Sequence, residues 1–144
     1  ATETMRCPVM ANGHVYSADQ ALDVLNQTKT RGLMIGRGVI RSPWLFNQIR
    51  QRHRSEPLTY PTGRDVLDYI TALWESQASF DAPEKVQVER MKKFMNYLGE
   101  GVAGDFLHQI RRSQAREEFF RICREFLDHD QPMNLEPAAE TVST

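Results

Sequence analysis

Residues 8–46 read PVMANGHVYSADQALDVLNQTKTRGLMIGRGVIRSPWLF, and one local pattern occurs in them twice. Two short apolar runs, 8–11 and 32–36, each end in a glycine turn, Asn12-Gly13 and Gly36-Arg37-Gly38, and each turn is followed by a helix signal, over 17–28 and from about 42 to 53. That pattern is two consecutive βα units. In a βα barrel both turns fall at the carboxyl ends of neighbouring strands, the face that carries barrel active sites and, at the last two strands, commonly a phosphate.

Phosphate binding needs backbone N–H groups that can be approached closely, a favourable helix end and usually one fixed cation. Gly13, Gly36 and Gly38 permit the approach, helices starting near Ser17 and Ser42 supply positive ends, and Arg37 supplies a guanidinium. A single Gly-Arg-Gly is a weak motif, better accounted for, when it stands alone, by a turn with a solvent-facing arginine. It is the tandem arrangement that points to a phosphate.

The run Pro8-Val9-Met10-Ala11-Asn12-Gly13, followed one βα unit later by Met34-Ile35-Gly36-Arg37-Gly38 and then Pro43-Trp44-Leu45-Phe46, resembles the tRNA-dihydrouridine synthases. The similarity extends over most of residues 8 to about 127 and includes Glu89-Arg90-Met91-Lys92-Lys93; the run from Met34 to Phe46 is its most specific part. The resemblance implies a flavoenzyme with an FMN-binding TIM barrel and a C-terminal helical tRNA-binding domain. It also implies that Asn12, Gly13, His14, Gly36, Arg37 and Gly38 surround the FMN phosphate. The position of His14 is commonly acidic in that family, so its side chain departs from the pattern.

The expected fold is accordingly α/β plus all-α: the last two βα units of a TIM barrel over residues 1–54, a linker at 55–61, a four-helix bundle over 62–129, and a disordered tail over 130–144. Such a piece is mostly helical. A complete barrel needs roughly 200 residues or more, and this chain has 144. The family's catalytic cysteine, which protonates the uracil ring, belongs to an upstream loop, so no catalytic residue is expected here and the chain alone is expected to be inactive. The implied reaction of the intact enzyme, expected to be monomeric, is reduction of a tRNA uridine to 5,6-dihydrouridine by FMN recharged by NADPH. The residues leave two alternatives open: a non-catalytic RNA-binding helical module, or another phosphate-binding barrel enzyme.

Composition is that of a globular protein, with 40% hydrophobic and 26% charged residues. No apolar run approaches the roughly 20 residues of a membrane span, and no basic-then-apolar leader opens the sequence, so a cytoplasmic location is expected. Cys7 and Cys123 lack CxxC or Cys/His spacing and read as reduced core thiols. The histidines at 14, 53, 108 and 129 show no metal-ligand spacing, and no metal is expected.

A net charge of −1 conceals segregation. Residues 24–55 carry seven Lys or Arg and no acid, residues 55–84 carry six acids and only Arg64, and residues 85–125 carry nine bases against six acids. Basic blocks of this kind suit nucleic acid, or form a solvated helix face.

After the Pro57–Pro61 stretch everything reads helical. Thr62 and Asp65 form a capping box, Asp81 and Ser113 are expected as later caps, and Gly99 and Gly101 end the second helix. The Met and Phe residues at 91, 94, 95, 106, 119, 120 and 126 recur at core spacing. Arg90, Lys92, Lys93, Arg111, Arg112 and Arg116 are the expected tRNA-facing residues, with capping of a helix C-terminus the equal reading for Arg111 and Arg112.

Overall fold

In the computed structural model, which describes residues 2–137, the described residues form two compact units, residues 2–59 with 136–137 and residues 60–135. The division falls inside the Pro-containing stretch 55–61.

In the first unit, β1 (Met10–Asn12) and β2 (Gly32–Met34) pair in parallel with Met10 opposite Gly32 and Asn12 opposite Met34. Parallel strands require a crossover, and α1 (Ala18–Thr28) supplies it. Ser17 starts α1: its Oγ accepts the Gln20 N–H at 3.1 Å, and the Gln20 amide oxygen accepts the Tyr16 N–H at 2.9 Å. Ala18 and Ala21 are buried, and α1 packs on α3 (Leu45–His53), which buries Leu45 and Gln48.

Here the structure differs from the sequence expectation. The second helix does not start at Ser42. A short α2 (Arg37–Arg41) begins directly after Gly36 and stops at Ser42, whose extended φ of −148° and ψ of 97° follow from the steric demand of Pro43 on the residue before it. The supposed linker begins as part of this unit. Gln48 donates to the Thr59 carbonyl at 3.0 Å, and the Gln51 amide oxygen accepts the Thr59 N–H at 3.0 Å.

In the second unit, α4 (Gly63–Gln77), α5 (Glu84–Leu98), α6 (Phe106–Arg112) and α7 (Arg116–Leu127) each pack on at least two of the others, with a 3-10 turn over Gly99–Gly101 after α5. Val66, Ile70, Val88, Met91, Met95, Leu98, Phe106, Ile110, Phe119 and Leu127 are buried. Phe94, Phe120 and Phe126, expected in the core, are only half-buried, while Ile122 takes a core place instead. Trp74, Phe119 and Phe120 form a cluster with centroid separations of 5.4–5.9 Å.

The Thr62–Asp65 capping box is present: Thr62 N–H donates to Asp65 Oδ2 at 2.8 Å, and Asp65 N–H donates to Thr62 Oγ1 at 3.3 Å. The other two expected caps are not used. Pro83 occupies the position before α5, and Ala115 the position before α7; Ser113 is buried at the end of α6, where its Oγ donates to the Ile110 carbonyl at 2.7 Å.

The segment from 130 onward also departs from expectation, because it packs. Met133 N–H donates to the Pro61 carbonyl at 2.7 Å, Leu135 is buried, and a β-carbon on Gly101 would lie 3.0 Å from Leu135. Apolar burial of Leu135 and a paired backbone hold a stretch that has no periodicity to announce it. Residues 138–144 of the expected tail lie outside the described residues. Cys7 is another correction: it is exposed at the start of the chain, and only Cys123 is a core thiol. Burial pushes the Cys123 thiol up to about 12. Among the described residues no helix is long and apolar enough to cross a membrane, and no group of three His, Cys, Asp or Glu could hold a metal ion.

Candidate functional site

The parallel register sets the site. With Asn12 opposite Met34, the segments that leave the two strands at their carboxyl ends lie side by side. All six residues expected around a phosphate, Asn12, Gly13, His14, Gly36, Arg37 and Gly38, line one cavity of about 380 Å³, together with Val15 and Tyr16.

The three glycines do different work. A β-carbon on Gly13 or Gly36 would meet nothing within 4 Å, so both backbones stand open to an incoming group. Gly38 is buried, and a β-carbon there would run into the Val15 carbonyl oxygen, with Ile35 and Leu45 side-chain carbons 3.3 Å away. Gly38 therefore lets the two turns approach each other, whereas Gly13 and Gly36 leave the cavity wall bare.

Arg37 and His14 meet across the cavity. The Arg37 Nη2–H donates to His14 Nδ1 at 2.8 Å. The His14 ring lies parallel to Tyr16, with 6.3 Å between centroids and 10° between planes, and the buried Arg41 guanidinium sits 5.9 Å from the Tyr16 ring centroid. Tyr16 and Arg41 are the residues that sequence reading missed. No local pattern announced them, because the chain turns tightly at His14, where the Val15 N–H donates to the Gly13 carbonyl at 3.0 Å, and the approach of Arg41 to Tyr16 is tertiary.

The helix ends contribute less than expected. The Ser17 and Gln20 side chains already serve the start of α1, and Ser42 is a helix end rather than a beginning. The donor set at the cavity is thus Arg37, His14 and open backbone at Gly13 and Gly36. Its chemistry suits an anion with several acceptor oxygens.

The six basic residues of the helical unit do not form one cluster. Arg90 and Lys93 are exposed on α5, but the Lys92 side chain is only 13% exposed and pairs with Glu89 at 2.7 Å, which lowers the Glu89 carboxyl through that hydrogen bond. Lys92 does not project away from the core as its position suggested; its stem is covered. Arg111 donates from Nε to Asn96 near one end of α5, whereas the Arg116 N–H donates to Glu84 at the other end. Those anchors are separated by about 18 Å along the helix axis. The Arg116 guanidinium also lies 5.7 Å from the centroids of both Trp74 and Phe120.

Comparison with known proteins places these features in a family. The model of the family described as dihydrouridine synthase (Dus) matches residues 2–129. A Helicobacter pylori protein named probable tRNA-dihydrouridine synthase is 45% identical over 53 residues, covering 37% of this chain and 16% of the relative. A Mycobacterium tuberculosis protein of the same name is 32% identical over 103 residues, 71% of this chain and 26% of the relative. The tRNA-dihydrouridine synthase B of Xanthomonas campestris pv. campestris is 26% identical over 129 residues, 86% of this chain and 38% of the relative. The chain thus spans well under half the length of the curated relatives it matches.

Proposed function

The chain belongs to the dihydrouridine synthase family, and on that footing we propose that it serves a tRNA-dihydrouridine synthase by anchoring the phosphate of FMN and by binding tRNA. In this reading β1, α1 and β2 are βα units of an FMN-binding TIM barrel, and the helical unit is the RNA-binding part of an NADPH-dependent oxidoreductase. The observation that carries the reading is the convergence of Asn12-Gly13-His14 and Gly36-Arg37-Gly38 on one cavity.

The residues present fit a phosphate monoester. Arg37 pairs with the phosphate, the open backbone at Gly13 and Gly36 donates to its oxygens, and Gly38 keeps the two turns close enough to act together. When bound, FMN supplies hydride chemistry. The chain's own share is retention and orientation of the cofactor. Neither thiol is assigned the role of uracil acid: Cys7 lines a different cavity with Thr2, Arg6, Lys29 and Arg31, and Cys123 is buried in α7.

The expected RNA contacts are Arg90, Lys93, Arg111, Arg112 and Arg116, with Lys92 reduced to a supporting place by its burial. Their charges would neutralise phosphates of the RNA backbone and release counterions.

The test uses the intact protein. Arg37→Ala should weaken FMN binding by tenfold or more in a fluorescence titration, as loss of a charge-assisted hydrogen bond to an anion does. The unaltered protein, supplied with FMN, NADPH and tRNA, should raise the dihydrouridine content of that tRNA. FMN affinity untouched by Arg37→Ala would remove the phosphate assignment, and tRNA with unchanged dihydrouridine would remove the activity.

A further inference from the structure

We infer that His14 is a positioning residue for the anion site: as a neutral imidazole accepting from Arg37 through Nδ1, it fixes the guanidinium that grips the cofactor phosphate. This rests on the phosphate reading above and adds to it the group that makes Arg37 ready to bind.

A guanidinium has donors and no acceptor, so the 2.8 Å contact between Arg37 Nη2 and His14 Nδ1 requires Nδ1 to present its lone pair. The proton of the ring is then on Nε2. This tautomer gives the cavity wall a second donor while consuming only one Nη of Arg37, and the guanidinium keeps its remaining donors for a ligand. The ring itself is held. It lies parallel to Tyr16, and Tyr16 is backed by Arg41, a residue only 5% exposed.

The physical gain is entropic. An exposed arginine side chain samples many rotamers, and side-chain ordering on binding typically offsets a substantial part of the interaction. Arg37 is exposed and, in this structure, already directed toward His14 across the cavity mouth. Prior fixation by a neutral acceptor leaves its positive charge intact, which fixation by a carboxylate would partly cancel at the place where a phosphate must sit.

The experiment compares FMN with riboflavin, which lacks the phosphate, on the intact protein. The riboflavin dissociation constant divided by that of FMN isolates the phosphate's contribution, and general damage to the flavin site would weaken both ligands alike. Arg37→Ala should reduce the ratio tenfold or more. His14→Ala should reduce it by about fivefold with riboflavin affinity unchanged, the loss of one neutral hydrogen bond's worth of fixation. His14→Asn, whose Oδ1 can accept in place of Nδ1, should restore the ratio to within about twofold of the unaltered protein.

An unchanged ratio in Arg37→Ala defeats the phosphate reading itself. A reduced ratio in Arg37→Ala with an unchanged one in His14→Ala leaves that reading standing and overturns the role of His14. Equal losses in His14→Ala and His14→Asn overturn fixation through Nδ1, and parallel losses for FMN and riboflavin in His14→Ala make the effect structural and overturn it too.

Discussion

Gly13 and Gly38 line the same cavity, yet a methyl group has opposite consequences at the two. At Gly38 it collides with the Val15 carbonyl, and Gly38→Ala should lower unfolding stability by about 2 kcal/mol, in the range for overpacking a filled site. At Gly13 it enters open space, so Gly13→Ala should leave stability within about 0.5 kcal/mol of the original while obstructing a bound phosphate. Chemical denaturation of both variants checks the contrast. Thiol chemistry gives a second residue-scale expectation: with Cys7 exposed and the Cys123 thiol pushed up to about 12 by burial, one thiol should react with Ellman's reagent at pH 8 in the native protein and two after denaturation. The sequence made Gly38 visible as a turn residue but not as a contact, because the colliding carbonyl belongs to a residue 23 positions earlier. The bond between His14 and Arg37 was hidden for the same reason.

At the scale of elements, local signals were legible where the chain supplies its own partner. Thr62 and Asp65 are three residues apart and close their hydrogen bonds within one turn, so the pattern alone located the start of α4. Thr62→Ala should cost about 1 kcal/mol, read as a shift in the helix-monitored denaturation midpoint, and Asp81→Ala should shift nothing comparable, since Pro83 precedes α5 without a side-chain cap. Ser113 misled for a physical reason: its hydroxyl found the carbonyl of Ile110 behind it before reaching an N–H ahead of it. The interruption between α2 and α3 was written in Pro43, but α2 spans only Arg37–Arg41, too few residues for a periodicity to register. Leu135 similarly owes its place to Gly101, a tertiary fact with no local signature.

Across the molecule, the two units divide the proposed labour, with the anion cavity wholly within the first and the exposed basic residues of α5, α6 and α7 in the second. The charge segregation along the sequence is what suggests this division. It could not show that Lys92 is spent on Glu89, or that the anchors of Arg111 and Arg116 lie at opposite ends of α5, because pairing and direction are set by packing. Reversing Arg90, Lys93, Arg111 and Arg112 to Glu in the intact protein should weaken tRNA binding and flatten its salt dependence, by about 0.7–0.9 in slope for each RNA phosphate that is no longer neutralised. Lys92→Gln should change that slope little.

If the two glycine turns and Arg37 hold the phosphate of a flavin, a crystal structure of the intact protein loaded with FMN shows it without intermediary. A phosphate oxygen within about 3.2 Å of the Arg37 guanidinium, with backbone N–H donors of the Gly13 and Gly36 turns around it, is the expected result. FMN bound with its phosphate elsewhere, and Arg37 still engaged only by His14, would refute the assignment.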